Sequence, residues 1–169
     1  MRARAAAGLR VLALLLFLPI STIAAQARDL SGTWVLSLAK SSFGNSPAPT
    51  MDSLVITRSG SNYHVEENTI TPEGPSHMVF EFPVGDGEVT NNVPAENGQP
   101  ARSIHAVFTT RGDTTHTTGE ISVAGQKVAT QSSREYLTPD KKSYVRDVTL
   151  QLTMGGGVPV HVIAVYDRK

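Results

Sequence analysis

Cysteine is absent from all 169 residues, so no disulfide staples this chain, and neither a cysteine nucleophile nor a thiolate metal site is open to it. Neither sign of charge dominates: 15 Lys and Arg stand against 15 Asp and Glu, which leaves no basic field for nucleic acid or anionic lipid. There is no Gly-x-Ser-x-Gly elbow, no phosphate-cradling glycine loop and no His-Glu-x-x-His helix, so three common catalytic frameworks have no foothold. The triple glycine at 155–157 has no helical pattern after it and reads as a turn. Long apolar runs are missing as well, except for one at the start.

That exception has three parts. Arg2, Arg4 and Arg10 carry positive charge, Val11 to Ile20 form a short apolar core, and Ala25, Gln26 and Ala27 make a small-x-small cleavage pattern. The combination predicts a secretory signal peptide over 1–27 with cleavage after Ala27. The run falls short of the roughly 20 apolar residues a membrane helix needs, and nothing later rivals it, so no membrane span is expected. Without a cysteine there is no lipoprotein acylation site, and Ala3 separates Arg2 from Arg4 where a twin-arginine signal needs adjacent arginines. A free periplasmic or secreted protein exported unfolded, with no preloaded cofactor, is the expectation. The mature chain, 28–169, is of single-domain size, and its twelve basic and fifteen acidic residues give a formal charge of −3.

Runs rich in Val, Ile, Thr, Phe and Tyr alternate down this chain, broken by Gly, Asn, Asp and Pro, with no sustained 3.6-residue period. The pattern predicts an all-β protein. Strands are expected near 32–39, 53–58, 62–69, 77–84, 102–109, 114–123, 127–137, 143–154 and 159–167, with a short extra one around Glu88 to Val93. Short connections such as Ser-Gly-Ser-Asn at 59–62 and Ala-Gly at 124–125 are hairpin turns. Arg-Gly-Asp at 111–113 matches an adhesion tripeptide, but between two strands it too reads as a hairpin. A meander of this length must curl or close to hide its edges. An antiparallel up-and-down barrel of 8 to 10 strands is therefore expected, with a two-sheet sandwich as the alternative. Two longer segments, 40–51 and 84–101, contain Pro47, Pro49, Pro94 and Pro100 and cannot be central strands. On a barrel they would guard access to the interior.

Period-two alternation assigns faces. Trp34, Leu36 and Leu38 share one side of the first strand. Met78, Phe80 and Phe82 group together, as do Ile104, Ala106 and Phe108, and Tyr144, Val148, Leu150, Leu152 and Met154. Tyr63 and Val65 oppose His64 and Glu66. Such inward sets either fill a small core or line a cavity, since an eight-stranded barrel holds only side chains or one small ligand.

Leu-Ser-Gly-Thr-Trp at 30–34 resembles the Gly-x-Trp opening of the lipocalin and calycin barrels, and Val-Pro-Val-His-Val-Ile-Ala-Val-Tyr-Asp-Arg-Lys at 158–169 is similar to the closing strand of small secreted bacterial lipocalin-like proteins. The resemblance implies that Gly32 lets the chain turn into the barrel floor while Trp34 plugs it, with a late arginine, Arg168 or Arg146, stacked over the indole. It sets this chain apart from the best-studied lipocalins, whose Thr-Asp-Tyr motif and disulfide are both absent. Fatty-acid-binding proteins open alike but insert a helical pair where this chain has a Pro-containing loop, and avidin-type barrels use several tryptophans where this chain has one.

His64 and Glu66, two apart on one strand, could place two metal ligands together, with His77, Glu81, His105 and His116 on other strands. A solvated outer face accounts for all of them, and no metal is assigned. Trp34, Phe80, Phe82, Phe108, Tyr136 and Tyr144 are the candidate ligand-contacting residues, with Tyr144 and Arg146 placed to orient a polar head group. No catalytic residue is assigned. The first expectation is thus a non-enzymatic exported barrel that binds a small apolar or amphipathic molecule. A solid-core module for protein interaction is the second, and a barrel enzyme of cyclase or isomerase type the third.

Overall fold

Two-residue connections at 60–61, 72–73, 112–113 and 124–125 leave a strand no course but to fold back on its predecessor. In the computed structural model, which describes residues 28–95, 98–153 and 157–169, ten strands follow one another: β1 (Gly32–Leu36), β2 (Met51–Ser59), β3 (Asn62–Thr71), β4 (Gly74–Pro83), β5 (Gly87–Val93), β6 (Arg102–Arg111), β7 (Thr114–Val123), β8 (Gln126–Leu137), β9 (Ser143–Leu152) and β10 (Val160–Arg168). They form one antiparallel sheet ordered β4-β3-β2-β1-β10-β9-β8-β7-β6-β5. The first strand pairs with the last, Trp34 opposite Arg168, so the sheet rolls into the expected up-and-down barrel, not a sandwich. The segment assigned to a signal peptide, and Met154, lie outside the described residues.

Closure is nearly complete. Between β4 and β5 there is no backbone ladder, and a side chain spans the seam instead. The Asn91 carboxamide accepts from Glu81 N at 2.8 Å and donates to Glu81 O at 2.9 Å, which reproduces the pair of bonds a neighbouring strand would make. Asn91→Ala is expected to cost about 1–2 kcal/mol, two hydrogen bonds at their usual net worth. It should also speed amide exchange at Glu81 while leaving the centre of β2 protected; unchanged exchange at Glu81 would show that the seam is held by something else.

One departure from the sequence expectation has a local cause. Strand β1 ends at Leu36, short of residue 39, because Ser41 Oγ donates to Ser37 O at 2.8 Å and accepts from Val165 N at 3.0 Å, drawing 38–41 out of the ladder into a 3-10 turn at Leu38–Lys40 after Ser37 N makes a last bond to Val165 O. Leu38 therefore faces solvent, 47% exposed, and not the core. Pairing resumes where Ser42 bridges Ile163, and there Gly44 comes so close that a Cβ would lie 2.8 Å from His161 O. The extra strand expected around Glu88 to Val93 is present as β5, which divides 84–101 into 84–86 and 94–101.

Odd-numbered strands run away from the end where Gly32 starts the sheet, so the longer connections 37–50, 94–101 and 153–159 all gather at the opposite end. Around Trp34 the Gly32 end is plugged, although a cavity of about 480 Å³ lies beside the plug between Arg28, Tyr63, Phe82 and Thr115. Leu30 and Trp34 have no exposed surface, Trp34 Nε1 donates to Leu30 O at 2.8 Å, and the Arg168 guanidinium lies 4.5 Å over the indole. Gly32 adopts φ +137°, a conformation L side chains rarely take, with Arg168 Nη1 3.6 Å from where its Cβ would stand. Arg28 ties the first described residue across the same floor, donating to Thr115 Oγ1 at 2.9 Å and to the backbone oxygen of Glu135.

Candidate functional site

Alternation carries charged residues inward together with the apolar ones. Asp52 is in phase with Leu54 and Ile56, Glu67 with Tyr63 and Val65, Glu135 with Ser133, and Arg146 with Tyr144. Asp52, Glu67 and Glu135 are each at most 8% exposed. A buried charge survives only with partners, and these meet in the middle of the barrel. Arg146 Nη1 donates to Glu67 Oε1 at 3.3 Å, and its Nε stands 4.0 Å from Glu135 Oε1. The Tyr144 hydroxyl donates to Glu135 Oε2, Ser133 Oγ to Glu135 Oε1 at 3.2 Å, and the Tyr166 hydroxyl to Asp52 Oδ2 at 2.7 Å. Two buried atoms in this interior, Asp52 Oδ1 and Thr117 Oγ1, have no hydrogen-bond partner.

Burial raises the pKa of Asp52, against the opposing pull of the Tyr166 hydroxyl, Arg146 and Thr69. Burial likewise raises Glu67, with Arg146 opposing it and Asp52 and Glu135 adding to it. Burial also works against the charge of Arg146, but Glu67, Tyr166 and Glu135 more than restore it, and its pKa lies above the ordinary value. Both tyrosines are pushed well up, chiefly by burial, so they act as hydrogen-bond donors to the carboxylates. A carboxyl whose pKa is raised by folding binds its proton more tightly in the folded state. The stability it contributes is complete below the unfolded value of about 4 and is lost as pH rises through the folded value. Asp52→Asn keeps an acceptor for Tyr166 but cannot ionise. Its stability relative to the unaltered protein should therefore improve as pH rises from about 3, below the unfolded value, to about 8, read from urea midpoints; the same offset at both ends would contradict the placement of Asp52.

Two cavities adjoin at Gln131 and Arg146, which line both. The inner one, about 180 Å³, is walled by Leu54, Ile104, Phe80, Phe82 and Phe108, with Glu67, Glu135 and Tyr144 on its polar side. The outer one, about 340 Å³, lies toward the end with the longer connections, between Phe43 of the 37–50 segment and Ile121, Val148, Leu150, Val160 and Val162; Asp52 and Arg146 supply its charge. A plug at Trp34, two adjoining chambers and a polar junction describe an interior able to hold a guest.

No family model matches the sequence, and no curated protein matches it. Among solved structures it is similar to the zebrafish ileal bile acid-binding protein complexed with cholic acid, at a TM-score of 0.49 and 11% identity, over 82% of this chain and 98% of that one. The likeness is one of fold outline. At that identity nothing about a ligand passes to this chain.

Of the residues named from sequence, Phe80, Phe82, Phe108 and Tyr144 line the inner chamber. Trp34 contacts Tyr144, with ring centroids 5.8 Å apart, but it belongs to the floor with Gly32 and lines neither chamber. Tyr136 is out of phase with the buried Ser133 and Glu135 and lies on the outer face under the Arg134 guanidinium, 5.5 Å away; it meets no ligand from there. Arg168, not Arg146, covers the indole. His64, 3.8 Å from Glu66 and 3.9 Å from Glu81, is on the exposed face, and among the described residues no three of His, Asp and Glu are grouped to hold a metal ion. The residues absent from the sequence reading of the site are Asp52, Glu67 and Glu135, which share phase with buried apolar neighbours.

Proposed function

We propose that this chain, exported and cut after Ala27, works outside the cytoplasm as a non-enzymatic barrel that takes one small amphipathic molecule into its interior. The observation that carries this reading is the apolar outer chamber of about 340 Å³ joined, at Gln131 and Arg146, to an inner one. An enclosed cavity of about 150 Å³ already accommodates benzene, so a guest with one ring or a chain of several carbons has room. The Gly-x-Trp opening, with Arg168 over Trp34, supports kinship with small secreted bacterial lipocalin-like proteins. A solid-core interaction module has no use for such chambers. The inward acids and Arg146 are what a proton-transferring barrel enzyme would want, but each is committed to another member of the cluster, as in a structural network.

The test is titration of the purified 28–169 protein with a neutral naphthalene dye. One saturable site with enhanced emission is expected, weakened at least tenfold in Ala164→Leu, which narrows the outer chamber, while the far-ultraviolet spectrum is unmoved. No saturable binding of the dye, together with no small molecule retained in native mass spectra of protein from its own source, would defeat the reading. The export part stands separately: protein recovered outside the cytoplasm should begin at Arg28.

A further inference from the structure

The charged side chains of the interior answer one another. Glu67 and Glu135 share Arg146 at 3.3 Å and 4.0 Å, Glu135 also holds Tyr144 and Ser133, and Asp52 holds Tyr166. Gln131 is different. It lies on β8 in phase with the buried Ala129, Ser133 and Glu135, so its side chain points into the barrel, and it lines both chambers where they adjoin. Its carboxamide has no hydrogen-bond partner among the described residues. Nor is it shut away like Asp52 Oδ1 and Thr117 Oγ1, which have no accessible surface. Gln131 is half-buried, and an inward side chain at mid-strand can keep that surface only toward the chambers. Opposite it on β7 stands Gly119, followed by Ala106 on β6, so no bulky neighbour on that side fills the space beside the carboxamide. The walls to either side of the junction are apolar, with Phe80 and Phe108 in the inner chamber and Val148 and Val162 in the outer. A few placed polar groups on such a lining fix how a guest lies. A charged guest would need a counter-charge once out of water, and Arg146, the one cation among the described residues lining the chambers, is already engaged. A neutral polar group costs less to bury, and one bond to a carboxamide, which can donate or accept, covers it. From these observations we infer that the guest is an uncharged molecule with a hydroxyl or carbonyl near its middle, which bonds the Gln131 carboxamide while two apolar arms lie one in each chamber.

This inference rests on the cavity-binding reading and refines it. The discriminating experiment is isothermal titration of the 28–169 protein with three nine-carbon probes: 5-nonanol, with its hydroxyl at the centre, 1-nonanol, with it at one end, and 5-aminononane, charged at the centre. The central alcohol should bind at least fivefold more tightly than the terminal one and at least tenfold more tightly than the amine. In Gln131→Leu, 5-nonanol should weaken about tenfold, the worth of one hydrogen bond, and lose its advantage over 1-nonanol, which stays within about twofold. The urea midpoint of that variant should be no lower than that of the unaltered protein, because the carboxamide bonds nothing in the empty barrel. Should Gln131→Leu fail to fold, Gln131→Met, unbranched like glutamine, takes its place; lost stability in both would make Gln131 part of the scaffold and overturn the assignment. Either 1-nonanol or 5-aminononane binding as tightly as 5-nonanol overturns it and leaves the cavity reading standing, as does a 5-nonanol advantage that survives in the variant. If the naphthalene dye binds and no nine-carbon probe does, this inference alone falls; if neither dye nor probe binds, the cavity reading falls with it.

Discussion

Trp34→Ala is expected to lower the stability of the barrel by about 3–5 kcal/mol, the usual cost of deleting a buried aromatic ring. For a domain whose whole stability is of the order of 5–15 kcal/mol, that leaves a substantial unfolded fraction at 37 °C. The effect is large because three separate terms end on one side chain. The indole has no exposed surface, it touches Tyr144 at 5.8 Å and lies under Arg168 at 4.5 Å, and its N–H satisfies the otherwise buried Leu30 carbonyl. Trp34→Phe separates them: it keeps most of the apolar contact and loses the hydrogen bond, for a smaller loss of about 1–2 kcal/mol. Urea denaturation followed by circular dichroism measures both, since the alanine variant has no tryptophan to follow by fluorescence. A loss below 1 kcal/mol in Trp34→Ala would mean that the floor does not depend on its plug.

Arg146→Met should be comparably damaging, and in a pH-dependent way. Removing one partner of a buried ion pair usually costs about 3–5 kcal/mol, because the other charge remains without compensation. Here Glu67 loses its donor at 3.3 Å and Glu135 its neighbour at 4.0 Å. Asp52 and Glu67 also lose the attraction that opposes their burial, so their pKa values rise further above the unfolded ones. Protonation then restores what the mutation removes: the deficit should be greatest at about pH 8 and shrink as pH falls through the raised folded values toward about 4. Pairing Arg146→Met with Glu67→Gln should recover much of the loss at neutral pH. A deficit equal at about pH 4 and about pH 8, or no recovery in the double variant, would show that Arg146 serves as apolar filler and not as counter-charge.

The sequence reading succeeds or fails residue by residue for physical reasons. The strands and hairpins were legible because a two-residue connection such as Ala124-Gly125, at φ +50° and +77°, has few conformations open to it. The inward placement of Phe80, Phe82, Phe108 and Tyr144 followed from alternation, which is a local property. Leu38 broke the rule because Ser41, three residues on, bonds Ser37 and Val165 and turns the chain out of the ladder. Tyr136 was assigned by residue type against its own phase. Asp52, Glu67 and Glu135 had the phase of inward residues, yet a carboxylate at such a position is tolerable only if a donor arrives from elsewhere. Those donors are far away along the chain: Arg146 is 79 residues from Glu67, and Tyr166 is 114 from Asp52.

Short-range chemistry thus set the strands, their antiparallel succession and which side chains turn inward, because hairpin geometry and the period of a pleated strand are decided within a few residues. Rolling the sheet until β10 met β1 decided the rest: which acids share Arg146, which carboxylate oxygen is left without a donor, and how much space remains between Phe43 and the far wall. Those outcomes depend on distances between residues that only closure brings together.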